Sequence, residues 1–307
     1  MSLNLKSGKK DFREVSEDIP FKRSILFTVD VEDWFEVENF KPYVPFSSWP
    51  SYEMRVEENT YRLLDLLESS GNLRATFFVL GWIAARLPKL VKEIHQRGHE
   101  VASHGFNHEL CRDQSPKTLK NDLSDSKKLL EDIIGDSIAG YRAPSFSINE
   151  DVLKIVQECG FNYDSSYNSF QMNKRYGQLK LSQDNKRGIS YELGHMFFEL
   201  PISNIHVRGS SIPWGGGGYF RLMPSWIYRQ GIRRILKREN AYLFYVHPWE
   251  IDPDQPRLKT VSFSSQFRHR INLASSLKKL TMLLNRFAHC RFVSCKEYLV
   301  ENGCSKP

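Results

Sequence analysis

Apolar runs alternate with amphipathic stretches along the chain from about residue 25 onwards. An uninterrupted apolar run is typical of a strand that is covered on both faces of a parallel sheet. Strands are predicted at residues 25–29, 75–80, around 101, 138–142, 161–164, 197–202, 241–246 and 292–293.

Amphipathic stretches of helical period lie between these strands. Ser115 and Pro116 stand where an N-cap and a first helical residue are expected, and Gly71 and Gly160 stand where helices end. Helices are predicted at residues 56–67, 83–96 with an interruption at Pro88, 115–134, 149–159, 225–238 and 265–288.

About seven alternations of strand and helix predict parallel strands wrapped by helices. Polar residues recur at the C-terminal ends of many separate strands, which is where barrels place their sites. We therefore expect an α/β fold, an irregular (β/α)7-type barrel related to the TIM barrel, rather than an open doubly wound sheet. A single barrel domain is expected over residues 22–300, with an insertion at about 171–224, a flexible leader at 1–21 and a tail at 301–307.

The charge balance is modestly basic, with 43 Lys and Arg against 36 Asp and Glu. This excess favours anionic surfaces or substrates. No basic run is interleaved with stacking aromatic residues, so a nucleic-acid partner is not expected. The five cysteines include no CxxC pair and are interpreted as reduced thiols of a cytosolic protein.

The first ten residues lack the apolar segment of a secretory signal, and no run reaches the roughly 18 apolar residues of a membrane span. A cytoplasmic location without a transmembrane segment is therefore expected. Helix 265–288 is amphipathic and is expected to pack on the barrel, with contact to a membrane surface as the alternative.

Candidate chemistry begins at His104 and His108, which lie four residues apart after a predicted strand. On one helical turn this spacing would place both imidazoles on the same side, where they could share a divalent cation. Such a pair alone is more often a solvated face. The metal interpretation gains support from Asp30, Glu32 and Asp33, which form a carboxylate cluster at the end of another strand.

Arg142, Asp164 and His247 complete the set of polar residues at strand ends. The segment Ser103–His108 resembles the metal-binding motif of the polysaccharide deacetylases of the NodB-homology type, carbohydrate esterase family 4. Arg142-Ala143-Pro144 resembles their Arg-x-Pro motif, and Val246-His247-Pro248 resembles their late histidine motif.

Three further segments resemble a narrower branch found in bacterial exopolysaccharide loci with exosortase and PEP-CTERM systems: residues 28–33, 214–221 and 247–253. The resemblance covers roughly residues 22–300. It implies a NodB-like barrel and a metal-dependent hydrolase that removes N-acetyl groups from sugars of a bacterial polysaccharide or its precursor.

The residues can be given roles on this basis. Asp30 would act as general base and Arg142 would keep it ionised. His247 would protonate the departing amine, with Asp164 orienting it. A cation on His104, His108 and a carboxylate would be zinc, although cobalt, nickel or manganese also suit such ligands.

The identity of the carboxylate ligand stays open between Glu32 and Asp33. Family members often carry adjacent aspartates, whereas Val31 follows Asp30 here. Strand alternation places Glu32 on the face of Asp30, so Glu32 is favoured.

Five residues are assigned to the substrate. Ser145 replaces the usual tyrosine after the Arg-x-Pro motif and leaves a backbone N–H for the oxyanion. The others are aromatic residues close to the motifs that could stack on sugar rings, although isolated tryptophans are usually core: Trp34, Trp214, Tyr219 and Trp249.

Alternative interpretations are an amidase of the same fold acting on a small cyclic imide or ureide, and a catalytically idle carbohydrate-binding protein. Arg142 by itself would more often be a surface ion-pair residue, and Asp164 a turn former. The sugar, the metal and the oligomeric state are left open.

Overall fold

The computed structural model describes residues 23–173 and 175–304. The predicted leader at 1–21 and the last three residues of the predicted tail lie outside this range. Glu301 is the last residue of the final helix, residues 302–304 follow it directly, and the side chain of Cys304 is buried.

The strands of the described residues are β1 (Ser24–Val31), β2 (Thr76–Val79), β3 (Glu100–Ser103), β4 (Gly140–Tyr141), β5 (Tyr163–Asp164), β6 (Lys186–Arg187), β7 (Ser190–Gly194), β8 (Phe197–Glu199), β9 (Asn204–Val207), β10 (Ser210–Pro213), β11 (Ala241–Val246) and β12 (Arg291–Val293).

The α-helices are α1 (Val56–Ser69), α2 (Gly81–Arg86), α3 (Pro88–Gln96), α4 (Pro116–Ile134), α5 (Glu150–Glu158), α6 (Gly217–Leu222), α7 (Ser225–Glu239), α8 (Phe263–Arg270), α9 (Leu273–Arg286) and α10 (Cys295–Glu301). Short 3₁₀ helices include Pro144–Phe146 after β4 and Pro248–Ile251 after β11.

Seven parallel strands form a curled sheet in the order β11-β1-β2-β3-β4-β5-β8. The strands follow chain order around the sheet and the late strand β11 returns beside β1, which is the order of a barrel. An open doubly wound sheet would instead reverse its order at a switch point. The predicted (β/α)7-type barrel is therefore confirmed.

The gap between β8 and β11 is spanned by irregular chain. Tyr245 N donates to Gly215 O at 2.7 Å, and Leu243 N donates to Ser203 Oγ at 2.9 Å. β12 pairs with the start of β1, and β7 and β6 extend the sheet beyond β8 in antiparallel fashion. The predicted insertion at 171–224 is thus interrupted by a barrel strand, β8.

Two helix predictions have different outcomes. The interruption at Pro88 is confirmed, since α2 ends at Arg86 and α3 begins with the proline. The single helix over 265–288 is wrong, because Asn272 has a left-handed backbone (φ 58°) that separates α8 from α9. Asn tolerates this conformation better than most residues, and its side chain donates to Arg221 O at 2.9 Å.

Alternation along β1 decides where the site lies. All eight residues of β1 are buried. Ile25, Phe27 and Val29 pack in the main core cluster, while Leu26 belongs to a second cluster with Phe78 from β2 and other strand residues. Thr28 and Asp30 share the face of Leu26, so the polar end of that face lies above an apolar floor inside the barrel.

Candidate active site

The polar side chains predicted at strand ends meet at one end of the barrel. Asp30 lies at the end of β1, and Glu32 follows that strand directly. His104, Arg142 and His247 directly follow β3, β4 and β11. Parallel pairing brings the C-terminal ends of these strands to the same edge, which is why residues distant in sequence converge.

Glu32, His104 and His108 form a cluster suited to a metal ion. Glu32 Oε1 lies 2.9 Å from His104 Nε2 and 3.0 Å from His108 Nε2, and all three residues are buried. His104 Nδ1 donates to the carbonyl of Arg142 at 2.7 Å, because that oxygen can only accept, and this contact turns Nε2 toward Glu32. Two imidazoles and a carboxylate oxygen gathered in this way are the donor set of a cation site.

The histidine pair is not held on a helical turn, which corrects the predicted reason for its geometry. Residues 104–110 are irregular, and both Gly105 (φ 76°) and His108 (φ 55°) have left-handed backbones. The carboxylate of Asp122 in α4 accepts from Phe106 N at 2.9 Å and from Asn107 N at 3.3 Å. This turn brings both imidazoles to the same carboxylate.

Asp33 does not reach the cluster, so the choice left open between Glu32 and Asp33 falls on Glu32. Asp33 accepts from Trp34 N at 2.8 Å, Arg55 N at 2.7 Å and Val56 N at 2.9 Å, which fixes the start of α1. Burial raises the pKa of Asp33 to about 6.

Glu32 has a strongly acidic carboxyl despite its burial. Desolvation by burial raises its pKa, but the charges of His108 and His247 and hydrogen bonds from the His104 and His108 side chains outweigh this. The resulting pKa of Glu32 lies well below its usual range. The carboxylate therefore stays charged and available as a ligand.

Asp30 and Arg142 form the predicted buried pair. Arg142 NH1 donates to Asp30 Oδ1 at 2.6 Å and to Thr28 Oγ1 at 2.8 Å. Its Nε and NH2 donate to the carbonyl and hydroxyl of Ser165, both at 2.9 Å. With every nitrogen of the guanidinium engaged, Arg142 is held rigidly beneath Asp30.

His247 faces the same centre from the opposite side. Its Nε2 lies 3.8 Å from Asp30 Oδ2 and 3.9 Å from Glu32 Oε1. Its Nδ1 lies 2.7 Å from Glu250 Oε1, and Glu250 Oε2 accepts from Arg221 Nε at 2.7 Å. Burial lowers the pKa of His247, but the charges of Glu32 and Glu250 and the Glu250 hydrogen bond raise it to about 9.

Asp164 does not orient His247, contrary to the sequence-based role. It accepts from Ser166 N at 2.9 Å and from Ser166 Oγ at 2.8 Å, and Ser166 Oγ accepts from Ala143 N at 2.7 Å. Burial and the charge of neighbouring Asp164 raise the pKa of Glu199 well above its usual range. Through Ser166, Asp164 therefore supports the segment that carries Arg142, whereas Glu250 holds His247.

A cavity of about 470 Å³ opens over these groups. Ser145, Tyr219 and Trp249 line it, as do Asp30 and His247. The ring of Trp249 stacks on His247 at a centroid distance of 5.2 Å and on His269 at 4.3 Å. Ser145 has a left-handed backbone (φ 50°) within the 3₁₀ helix Pro144–Phe146.

Trp34 and Trp214 are core residues, and the predicted contact of both with sugar is corrected. Trp34 is 1% exposed and donates from Nε1 to Glu53 O at 3.1 Å. Trp214 is 8% exposed, stacks on Tyr228 at 5.5 Å and donates to its carbonyl at 2.8 Å. Proximity to a motif in sequence did not bring either ring to the cavity.

Comparison with known families gives two adjoining matches along this barrel. The polysaccharide deacetylase model matches residues 44–163, and a domain of unknown function, DUF3473, matches residues 165–299. The chain carries a polysaccharide deacetylase domain match followed by a DUF3473 segment. The narrower exosortase-associated branch remains a prediction.

Curated relatives match about a third of the chain. A Bacillus cereus peptidoglycan-N-acetylglucosamine deacetylase is 36% identical over 102 residues, which cover 33% of this chain and 47% of that protein. A Helicobacter pylori peptidoglycan deacetylase is 32% identical over 105 residues, covering 34% of this chain and 36% of that protein. The chain thus spans less than half the length of these relatives.

Solved structures of the family share the fold over nearly the whole chain. A Mycobacterium smegmatis protein assigned to the polysaccharide deacetylases has a TM-score of 0.57 at 20% identity, covering 92% of this chain and 91% of its own. A peptidoglycan N-acetylglucosamine deacetylase bound to a substituted benzamide has a TM-score of 0.52 at 16% identity, with 90% and 88% covered.

The two family matches divide the candidate site of this chain. Residues 44–163 carry His104, His108 and Arg142, whereas residues 165–299 carry His247. Asp30 and Glu32 lie in and just after β1, before both matches. Since β8, β11 and β12 of the DUF3473 segment pair with β5 or β1, that segment is part of the barrel.

Sequence reasoning missed two residues of the site, Glu250 and Arg221. Glu250 carried a signal, because it lies three residues after His247 in a quoted motif and the 3₁₀ helix Pro248–Ile251 brings the two together. Arg221 ends another quoted segment, residues 214–221, but nothing in that segment indicated Glu250 as its partner. Among the described residues, no helix is long and apolar enough to cross a membrane.

Proposed function

We propose that this chain is a metal-dependent deacetylase that hydrolyses the N-acetyl groups of sugars in a bacterial polysaccharide or its precursor. The observation that carries the proposal is the convergence of three groups on one cavity: the Glu32 cluster, the Asp30–Arg142 pair and the His247–Glu250 pair. The family match and the names of the curated relatives support the same chemistry.

Glu32, His104 and His108 would hold the metal ion. When bound, a divalent cation lowers the pKa of water and polarises an amide carbonyl, and zinc suits two imidazoles and a carboxylate. Cobalt, nickel and manganese suit the same ligands.

Asp30 is the general base of the proposed reaction. Its Oδ1 is occupied by Arg142 NH1 at 2.6 Å, which leaves Oδ2 to take the proton of the attacking water. Arg142 fixes the orientation of this carboxylate. The backbone N–H of Ser145, on the cavity wall, would donate to the developing oxyanion.

His247 is the general acid. Its raised pKa keeps it protonated near neutral pH, so it can donate from Nε2 to the departing amine nitrogen. Glu250 holds Nδ1 and Arg221 neutralises the far oxygen of Glu250, which fixes the ring during proton transfer. Trp249 packs along the face of the imidazole.

Acetate release tests the proposal. Purified protein loaded with zinc or cobalt is offered acetylated exopolysaccharide fragments, peptidoglycan fragments and small cyclic imides. We expect acetate from a glycan, and loss of release in Asp30→Asn with metal content unchanged. Hydrolysis of imides alone would identify an amidase, and glycan binding equal in wild type and Asp30→Asn without acetate release would identify an idle binding protein.

A further inference from the structure

Helix α8 exposes its apolar side. Phe263 and Phe267, one turn apart, are 85% and 55% exposed, and their rings stack at 6.3 Å. The buried residue of this helix is polar: His269, whose Nε2 lies 2.6 Å from Gln255 Oε1. A helix on a soluble barrel normally buries its apolar stripe. Nothing in residues 23–173 and 175–304 covers these two phenylalanines.

The exposed phenylalanines belong to a larger apolar surface at the entrance of the catalytic cavity. Phe267 lines that cavity together with Leu222, which is 53% exposed at the end of α6. We call Leu222, Phe263 and Phe267 the mouth patch. Grouped exposure of large apolar side chains marks an interaction surface.

The chain that forms the mouth patch is strongly basic. Residues 200–296 contain sixteen Lys and Arg but four Asp and Glu, and residues 255–296 contain no acidic residue. Two of the four acids, Glu250 and Asp252, are buried in ion pairs with Arg221 and Arg55. Exposed cations flank α8 directly: Arg257, Lys259 and Arg268. The surface around the mouth is therefore electropositive and suits an anionic partner.

We propose that the mouth patch docks this protein on the surface of an anionic lipid bilayer. Phe263 and Phe267 would enter the headgroup region while Lys259 and Arg268 contact lipid phosphates. Interfacial amphipathic helices bind membranes through the same two kinds of contact. A second copy of the chain fits less well, because a two-fold contact would place the same basic surface against itself. A protein docked in this way would turn its cavity toward glycans held at the membrane.

Vesicle co-sedimentation of the full chain tests the proposal without reference to catalysis. Vesicles of phosphatidylcholine alone are compared with vesicles that also contain phosphatidylglycerol. The double variant Phe263→Ser/Phe267→Ser removes the apolar contact, and Lys259→Gln/Arg268→Gln removes two charges. The matched control is Val207→Ser/Ile212→Ser. These two apolar residues are each 39% exposed and lie on the β9–β10 hairpin instead of α8. Thermal unfolding checks that each variant is folded.

We expect wild type and the hairpin control to sediment with the anionic vesicles. The phenylalanine variant should bind at least about tenfold more weakly, and each lost charge should weaken binding about fivefold. Wild type remaining in the supernatant, or a phenylalanine variant that sediments like wild type, would overturn the proposal. So would a stable dimer in sedimentation velocity that the same variant dissociates, because the patch would then face a second copy.

Discussion

Residues 44–163 and residues 165–299 both contribute to the candidate site, but they hold their side chains by different means. In the first region, His104 and Arg142 directly follow the paired strands β3 and β4. The ring of His104 donates to the carbonyl of Arg142. In the second region, Glu250 lies in a 3₁₀ helix and Arg221 in the short helix α6. Arg221 NH1 also donates to His269 O and Ile271 O, both at 2.8 Å.

The difference separates two tasks of the barrel. Strand pairing places Glu32, His104 and His247 at one edge, while a turn held by Asp122 brings His108 to Glu32. Contacts between irregular segments hold the partner of His247, Glu250, and the same segments form the cavity mouth and the mouth patch. Arg221 links these parts, because it holds both Glu250 and the junction between α8 and α9.

The largest expected effect comes from the first region. His104→Ala should lose the bound metal and lower turnover by about a thousandfold or more, because charge stabilisation by the metal is worth several kcal/mol. Metal content by elemental analysis and acetate release are the measurements. His289→Ala, at an exposed histidine outside the site, is the control. Full activity of a metal-free His104→Ala protein would contradict the scheme.

His247→Gln should remove the proposed proton donor of the second region and leave the first region unchanged. We expect turnover to fall by about a hundredfold to ten-thousandfold, the usual loss for a general acid. Metal content should stay at the wild-type level, because Glu32, His104 and His108 are intact. Loss of metal in this variant would mean that the two regions do not divide the tasks as described.

Arg221→Met tests the buried pair of the second region. Glu250, at 1% side-chain exposure, would lose the partner of its Oε2 and keep only His247, which should lower the free energy of unfolding by about 3–5 kcal/mol. Lys120→Met is the comparison, because the Lys120–Glu158 pair of the first region is exposed and should leave the unfolding midpoint unchanged. Chemical denaturation measures both. Equal stability of the two variants would show that Arg221 does not stabilise the buried Glu250.

The pH dependence of stability should report His247 in the metal-free protein. Because its pKa is raised from about 6.5 to about 9, its contribution is fully present below pH 6.5 and is lost as the pH rises through 9. A shift of this size corresponds to about 3 kcal/mol. Unfolding at a series of pH values should show this loss in wild type and a flatter profile in His247→Gln. Parallel profiles would contradict the raised pKa.

Much of the fold and of the ligand cluster followed from sequence pattern. Apolar runs located the barrel strands, and polar residues at their ends located Asp30, His104 and Arg142. Alternation along β1 favoured Glu32 over Asp33, in agreement with the structure. These predictions succeeded because strand period and parallel pairing are local rules that transfer directly to three dimensions.

Other features depended on contacts that no local rule contains. The partner of His247 is Glu250 and not Asp164, and Trp34 and Trp214 are core residues. The helix at 265–288 divides at Asn272, and α8 buries His269 while exposing Phe267.

By itself the sequence determined the barrel, the strand ends and the types of residue that meet there, because backbone periodicity and the burial of apolar side chains act on each segment separately. The tertiary structure alone decided which carboxylate meets His247 and which aromatic rings reach the cavity. Those pairings depend on how irregular segments pack against one another, and burial leaves each charged group only the partner that packing supplies.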